Sequence, residues 1–162
     1  METLAVAPDD HLLEIGCGRG VAVSLVAERL TTGKIVAIDR AATMARLAAE
    51  RNASHIRSGR AEIRHAGFDS TELPPHYFTK IFAVNVSLFW LGAATEQIER
   101  MRSLLAPGGT LAVFGERPMS ANATANVVST ERLLQAHGFS TKRSIATYGQ
   151  DRLLTCVTGT PL

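Results

Sequence analysis

The sequence predicts an α/β domain built on a doubly wound, mostly parallel sheet, and three features carry this prediction. Strand-like and helix-like segments alternate along the 162 residues, as they do in the crossover units that connect parallel strands. Residues 80–86 have apolar side chains at positions 81–84 and 86, nearly continuous enough to be typical of a central strand buried on both faces. Residues 140–148 and 153–159 are too close together for a helical crossover between them, so they predict a terminal antiparallel hairpin.

The first crossover unit has the clearest signals in the chain. Residues 11–15 predict the first strand, and residues 21–30 carry apolar side chains at helical spacing before the chain reaches Gly33. Residues 34–39 predict a second apolar strand, which ends in the carboxylate Asp39. A strand, a helix and a strand in this order predict two parallel strands joined by a helix.

The middle of the chain continues the alternation. Residues 42–52 predict a helix with Met44 on its apolar face, and residues 61–65 predict a short third strand. Pro74 and Pro75 then break the chain before the apolar fourth strand. We expect this fourth strand to lie beside the first.

The last third of the chain predicts two more helices around a fifth strand. Thr95 can cap a helix that runs to residue 105, with Glu96 and Glu99 in its first turn, where negative charge favours the helix dipole. Pro-Gly-Gly at residues 107–109 ends this helix. Then follow a strand at residues 110–114, a polar loop at 116–128, a helix at 130–136 and the hairpin.

The composition limits the classes of function. With 46% hydrophobic residues, the chain has the size and apolar content of one domain with a buried sheet. Its net charge of +2 creates too weak a field to predict binding to nucleic acid or to an acidic membrane. The two cysteines form no C-x-x-C pair and the five histidines have no metal spacing, so we expect no metal site and no disulfide framework. No signal peptide or membrane-spanning apolar run is visible in the sequence, and we expect a cytoplasmic protein.

The most informative motif is the glycine loop after the first strand. Gly16, Gly18 and Gly20 alternate with other residues, and a chain without Cβ atoms can turn sharply and approach a ligand closely. Asp39, at the end of the second strand, is placed to accept hydrogen bonds from two ribose hydroxyls. The spacing is G-x-G-x-G rather than G-x-G-x-x-G, and Glu14 would repel a pyrophosphate but suit an ammonium group. A ligand with ribose, adenine and an ammonium group is S-adenosylmethionine.

These residues resemble the class I S-adenosylmethionine-dependent methyltransferases, in particular small bacterial members. The motifs that carry the resemblance are residues 13–20, 36–39, 68–69 ahead of 73–74, 81–90 and 105–111. The resemblance implies S-adenosyl-L-methionine as cofactor. It also implies a Rossmann-like, seven-stranded sheet in the order 3-2-1-4-5-7-6 with the last strand antiparallel.

The resemblance also implies roles for single residues. Asp69 would accept a hydrogen bond from the adenine amino group, with the Ser70 amide facing the ring. Phe68 stands where the family often has glycine and could stack on the adenine, and Arg40 could lie along it. Asn85, at the end of the fourth strand, could contact the cofactor through its carbonyl. The candidate cofactor-binding residues are therefore Glu14, Gly16, Cys17, Gly18, Asp39, Arg40, Met44, Phe68, Asp69, Ser70 and Asn85.

Structural alternatives remain open for these residues. The glycines could serve only a tight turn, Asp39 could cap the next helix, and Glu14 could be a buried carboxylate satisfied by loop amides. Asp69 and Arg40 could simply face solvent. Cys17 has no partner histidine or cysteine nearby in sequence, so we expect it to pack in the loop rather than act as a nucleophile.

The acceptor is less well defined. Residues 85–88 lack the short Asn/Asp-Pro-Pro-aromatic signature of the enzymes that methylate amino groups of nucleic acids, which argues against such acceptors. Phe89 and Trp90 could line an acceptor pocket or serve as plain packing. Thr79 stands where the family tends to have aspartate, a difference that concerns loop structure. No general base can be assigned, although Glu116 or a histidine is a candidate.

The leading hypothesis is methyl transfer to an O, N, C or S atom of a small-molecule acceptor. One alternative is a cofactor-binding protein whose site is degenerate or completed by a partner, without turnover of its own. The other is a nicotinamide-dependent oxidoreductase, which Glu14 and the glycine spacing disfavour. We expect residues 1–162 to form a single domain without the lid helices that usually precede the first strand in this family. Its site would then be open to a large acceptor, completed in a homodimer, or left incomplete by truncation.

Overall fold

The computed structural model describes residues 2–86, 95–118, 121–149 and 151–162. Within these ranges the chain forms one sheet with helices on both faces. The strands are β1 (His11–Ile15), β2 (Lys34–Asp39), β3 (Ala61–His65), β4 (Phe78–Val84), β5 (Leu105–Pro118), β6 (Phe139–Tyr148) and β7 (Arg152–Pro161), and the helices are α1 (Val21–Ala27), α2 (Ala42–Arg51), α3 (Ala53–Arg57), α4 (Thr95–Leu104) and α5 (Ala121–Ala136). None of these helices is both long and apolar enough to cross a membrane.

The sheet confirms the predicted fold class and strand order. Its seven strands run in the order β3-β2-β1-β4-β5-β7-β6. The first five strands in that order form four parallel pairs, and β7 is antiparallel to both β5 and β6. β1 lies between β2 and β4, with Leu13 opposite Val36 on one side and Ile81 on the other. The carboxyl ends of β1, β2 and β4 therefore meet at one edge of the sheet.

Two apolar layers hold the sheet between its helices. Side chains alternate along each strand, so Leu13 packs in the layer with α4 and α5, whereas Leu12 packs in the layer with α1. The first layer is anchored by Ile98, Met101 and Leu134. We call the opposite side, which α1 partly covers, the α1 face of the sheet.

The predicted boundaries differ from the structure where neighbouring residues override local signals. α1 ends at Ala27 instead of residue 30, because the Arg29 and Leu30 amides donate to carbonyls three residues back and tighten the chain into a turn. β4 ends at Val84 instead of residue 86, since Asn85 adopts a φ of 55°. The separate helix α3 was not predicted.

The polar loop predicted at residues 116–128 is wrong. β5 continues to Pro118, which pairs with Arg152 of β7, and α5 begins at Ala121 rather than at residue 130. The first half of α5 alternates alanine with Asn122, Thr124 and Asn126, which are weaker helix formers than alanine and give this stretch its polar character. Tertiary packing stabilises the helix nevertheless, because Val127 and Leu134 are buried against the sheet.

A polar network holds the amino ends of β1 and β4 together. The Asp10 carboxylate accepts a hydrogen bond from the Thr79 hydroxyl at 2.7 Å and forms an ion pair with Lys80 at 2.5 Å. The Thr79 hydroxyl also accepts a hydrogen bond from the His11 amide. Thr79, which replaces the aspartate of the resembled family, thus lies at the edge of the sheet opposite the strand tips described below.

Candidate functional site

The glycine loop follows β1 directly and is fixed to β2 by backbone hydrogen bonds. The Gly16 and Cys17 amides both donate to the carbonyl of Ile38, at 2.9 and 3.0 Å. Gly16 has a φ of 73°, and a Cβ atom built there would lie 2.8 Å from Cγ2 of Val86. Gly18 has a φ of 53°, but no described atom lies within 4 Å of its Cβ position. Both glycines are favoured by their positive φ; a side chain at Gly16 would also crowd Val86, whereas Gly18 leaves open space in front of the loop.

Asp39 connects the glycine loop to the tip of β2. One carboxylate oxygen accepts a hydrogen bond from the Gly18 amide at 2.8 Å, and the other accepts one from the Ala41 amide at 2.9 Å. The side chain thus orders both the loop and the turn that leads into α2. Each carboxylate oxygen can accept more than one hydrogen bond, so Asp39 can still receive two ribose hydroxyls.

Glu14 is the buried carboxyl group of the site. It is only 2% exposed, and its Oε2 atom has no hydrogen-bond partner among the described residues. Burial, together with the nearby charge of Asp39, raises the pKa of Glu14 to about 8. The alternative in which loop amides satisfy this carboxylate is therefore not realised for Oε2 within the described chain. A buried unpaired oxygen is costly, and a ligand ammonium group would supply the missing partner.

Cys17 lies beside Glu14 and behaves as a packing residue. The side chain is buried. Burial, followed by the charges of Glu14 and Asp39, raises the pKa of its thiol to about 12. The thiol is protonated at neutral pH, which agrees with loop packing and not with a nucleophilic role.

The loop after β3 holds the residues predicted to bind adenine. Asp69 and Ser70 are exposed, and the Asp69 carboxylate accepts a hydrogen bond from the Gln97 side chain of α4 at 3.2 Å. The Phe68 ring is buried in the core, with the Arg100 guanidinium 5.2 Å from its centre. Phe68 is thus enclosed between the sheet and α4, and the stacking of this ring on adenine stays a prediction.

α4 clamps this loop in place. Arg100 donates to the Thr71 carbonyl while its guanidinium covers Phe68. Sequence reasoning missed both Arg100 and Gln97, because a helix about thirty residues further along the chain carries no local signal of contact with the loop.

Arg40 and Met44 lie beyond the tip of β2 without fixed polar contacts. Arg40 is exposed, and among the described residues its guanidinium forms no hydrogen bond. Its backbone carbonyl lies 3.2 Å from Nε2 of His65. Met44 is half-buried on α2. Their predicted contacts with the cofactor stay predictions.

Asn85 joins the tips of β4 and β5. Its amide donates to the Phe114 carbonyl at 2.9 Å, and its side-chain oxygen accepts a hydrogen bond from the Glu116 amide at 2.8 Å. The side-chain carbonyl is thus engaged, and the backbone carbonyl is the group left for the predicted contact. Phe89 and Trp90, the aromatic residues considered for an acceptor pocket, lie outside the described residues.

A cleft opens from the glycine loop onto the α1 face of the sheet. It has a volume of about 560 Å³, and Glu14, Gly16, Cys17 and Gly18 contribute to its wall. We call it the α1 cleft. Its apolar wall includes Val21 and Leu25 of α1, Val84 of β4, Phe114 of β5, and Leu154 and Cys156 of β7. Sequence reasoning did not assign these residues, because strand pairing alone brings β7 beside β5.

Comparison with known proteins identifies the family. The family model described as "Methyltransferase domain" matches residues 12–109, which is more than half of the chain. The chain is 32% identical over 103 residues to a trans-aconitate 2-methyltransferase of Paracidovorax citrulli, a match that covers 64% of this chain and 37% of the relative. It is 29% identical over 125 residues to the enzyme of the same name from Rhodopseudomonas palustris, which covers 77% and 45%. The chain thus spans less than half the length of these curated relatives.

Solved structures agree on the fold. A SAM dependent methyltransferase from Aquifex aeolicus matches with a TM-score of 0.78 and 15% identity, covering 97% of this chain and 86% of that one. Geranyl diphosphate C-methyltransferase from Streptomyces coelicolor matches with a TM-score of 0.75 and 11% identity, covering 99% and 79%. Together with the match to the family model, the sheet and the glycine loop show that the chain belongs to the class I S-adenosylmethionine-dependent methyltransferases.

Proposed function

We propose that this chain transfers the methyl group of S-adenosylmethionine to a small-molecule acceptor. The observation that carries the proposal is the unpaired, buried oxygen of Glu14 beside the glycine loop and Asp39. The cofactor combines a ribose, an adenine and an ammonium group, and this edge of the sheet offers a suitable group for each of them.

Different residues of the site bind different parts of the cofactor. Asp39 receives the ribose hydroxyls while it holds the Gly18 amide. Glu14, in its ionised form, pairs with the ammonium group and thereby gains the partner that Oε2 lacks. Asp69 is exposed on the loop that α4 clamps, and its carboxylate accepts a hydrogen bond from the adenine amino group. Gly18 leaves the space in which the ligand approaches the backbone.

Methyl transfer requires few catalytic side chains from the protein. S-adenosylmethionine, when bound, would supply a methyl group on a positively charged sulfur that is already a good leaving group. The protein fixes the two reactants in line and keeps water out. Glu116 lines the α1 cleft and forms an ion pair with Arg152 at 2.7 Å. We assign no residue as a general base.

The acceptor is a small molecule in this proposal. The curated relatives are named for trans-aconitate, which makes trans-aconitate the first acceptor to assay. A single methyltransferase domain over residues 1–162, a cytoplasmic location and a homodimer that completes the open site stay predictions.

A turnover assay tests the proposal. Purified protein is incubated with labelled S-adenosylmethionine and a metabolite extract or trans-aconitate, and S-adenosylhomocysteine and labelled product are measured. We expect cofactor binding and acceptor-dependent formation of S-adenosylhomocysteine, and we expect both to be weakened in Asp39→Ala. Binding without acceptor-dependent turnover would overturn the proposal in favour of a binding protein, and absence of binding would overturn both.

A further inference from the structure

Asn52 is a fully buried polar residue at the junction of α2 and α3. The residue is 0% exposed. Its backbone amide donates to the Ala48 carbonyl at 3.1 Å, in the hydrogen-bond pattern of α2, and its carbonyl accepts from the Ile56 amide at 2.9 Å, in the pattern of α3. The backbone of Asn52 thus belongs to both helices. A carboxamide buried at this place needs hydrogen-bond partners of its own.

The side chain of Asn52 finds these partners at the end of the glycine loop. Its Nδ2 atom donates to the Gly20 carbonyl at 2.9 Å and to the Ala48 carbonyl at 2.9 Å, and its Oδ1 atom accepts a hydrogen bond from the Ser24 hydroxyl at 2.8 Å. A carboxamide offers two donor hydrogens and an acceptor oxygen, so both polar atoms of the side chain are engaged. One side chain therefore joins α2, the glycine loop and the first turn of α1.

The end of α2 also packs directly against the backbone of the loop. Gly20 has a φ of 72°, and a Cβ atom built there would lie 2.6 Å from Nδ2 of Asn52 and 2.9 Å from Cα of Ala48. The neighbouring Arg51 donates from Nε to the Arg19 carbonyl at 3.1 Å. Two consecutive residues of α2 thus hold two consecutive carbonyls of the glycine loop.

The glycine loop has three anchors, and Asn52 supplies the last of them. The Ile38 carbonyl holds the first two amides of the loop, and the Asp39 carboxylate holds the Gly18 amide. Asn52 holds the Gly20 carbonyl at the far end. Glycine loses more conformational freedom on ordering than any other residue. A loop that is held beforehand therefore does not have to be ordered by the ligand when the ligand binds.

We propose that Asn52 is a positioning residue of the cofactor site, which holds the glycine loop in the conformation that binds S-adenosylmethionine. This inference rests on the proposed function, because it concerns the cofactor of the same site. Since Asn52 is 0% exposed, it acts through the Gly20 carbonyl rather than by contact with the ligand. The apparent affinity of a protein falls in proportion to the fraction of molecules in the binding conformation.

Calorimetric titration of Asn52→Ala with S-adenosylhomocysteine tests the proposal. The substitution removes all three hydrogen bonds of the side chain. We expect one binding site per chain, as in the wild-type protein, with an affinity about tenfold weaker, because fewer folded molecules have the loop in place. A purely structural role gives another pattern: the number of sites falls because some molecules are unfolded, and the affinity of the others is unchanged. That pattern, or an affinity and a number of sites equal to those of the wild-type protein, would overturn the proposal.

Thr130→Ala is the matched control. Thr130 is also a buried polar residue, 1% exposed, and its hydroxyl donates to the Asn126 carbonyl at 3.0 Å. It lies on α5, which packs in the first apolar layer, whereas Ala48 of α2 packs in the layer with α1. Thr130→Ala should lower the stability to urea and leave the affinity for S-adenosylhomocysteine unchanged. An equal loss of affinity in Thr130→Ala and Asn52→Ala would overturn the proposal.

Hydrogen exchange in the wild-type protein tests the same inference without a substitution, and it decides the matter also where Asn52→Ala does not fold. If the contact between Asn52 and Gly20 raises the cofactor affinity tenfold, bound cofactor must favour this contact by the same factor. NMR should therefore show exchange of the Asn52 side-chain amide hydrogens slowed about tenfold at saturating S-adenosylhomocysteine, and exchange of the Leu134 amide in α5 slowed less. Equal slowing at both places, or no slowing at Asn52, would overturn the proposal. Absence of S-adenosylhomocysteine binding by the wild-type protein would instead defeat the proposed function itself.

Discussion

Glu14→Gln should stabilise the unliganded protein at alkaline pH. Burial and the charge of Asp39 raise the pKa of Glu14 from 4.5 to about 8. At about 1.36 kcal/mol for each pH unit, ionisation of Glu14 in the folded state costs up to about 5 kcal/mol. The neutral amide of glutamine fills nearly the same space and carries no charge at any pH.

The sign of the pH dependence follows from proton uptake. Between pH 4.5 and about 8 the folded protein keeps the proton on Glu14 while the unfolded chain has lost it. The folded state binds more protons there, so the free energy of unfolding of the wild-type protein falls as pH rises and levels off above the folded pKa. Glu14→Gln removes this contribution, and the difference between the variant and the wild-type protein should grow through the same range.

Urea unfolding from about pH 5 to about pH 9 measures this difference. Glu28→Gln is the matched control, because Glu28 is an exposed glutamate just after α1. Its stability curve should run parallel to that of the wild-type protein. A Glu14→Gln curve that also runs parallel to the wild-type curve over the whole range would refute the inference that Glu14 is buried without a partner.

Three further predictions concern the cofactor site. The affinity of the wild-type protein for S-adenosylmethionine should rise with pH toward about 8, because the ammonium group pairs with the ionised carboxylate of Glu14. In Glu14→Gln the affinity should no longer rise with pH in this way. Calorimetry at several pH values measures both affinities. Gly16→Ala should lower the free energy of unfolding by roughly 1–3 kcal/mol, since the new Cβ would lie 2.8 Å from Val86 and the residue has a positive φ. Gly18→Ala should lower the free energy of unfolding by about 1 kcal/mol, because only the positive φ opposes it. Its larger effect should be on cofactor affinity, since the new Cβ fills the space in front of the loop. Equal effects of the two alanines in urea unfolding would contradict these assignments. Arg100→Ala should weaken cofactor binding by releasing the adenine loop, with the exposed Arg46→Ala as control, and unchanged affinity would exclude the clamp.

Local signals predicted the first half of the fold because its elements are determined by neighbouring residues. β1, β2 and β3 begin and end where apolar periodicity, Gly33 and the terminal carboxylate of Asp39 place them. The start of α5 was missed because Asn122, Thr124 and Asn126 resemble a polar loop, whereas Val127 is buried against the sheet. Helix propensity alone gives no signal for such contacts.

The candidate site shows the same division. The sequence identified Glu14 and Asp39 from their spacing, but it could not decide whether loop amides satisfy Glu14. The burial of Phe68 under Arg100 depends on a helix distant in sequence, and no local pattern predicts this contact. The apolar wall of the α1 cleft depends on the register of β5 with β7, in which Phe114 lies opposite Cys156. No motif in the sequence encodes that register.

Calorimetry tests most directly whether the strand tips hold this cofactor. The wild-type protein and Asp39→Ala are each titrated with S-adenosylhomocysteine and, separately, with NAD, which represents the alternative class of ligand. The wild-type protein should bind S-adenosylhomocysteine and not NAD. Loss of a charge-assisted hydrogen bond of about 1.5–3 kcal/mol should weaken binding by about tenfold to a hundredfold in Asp39→Ala, while urea unfolding checks that the variant is folded. Undiminished affinity in a folded Asp39→Ala variant, or preferential binding of NAD, would contradict the assignment.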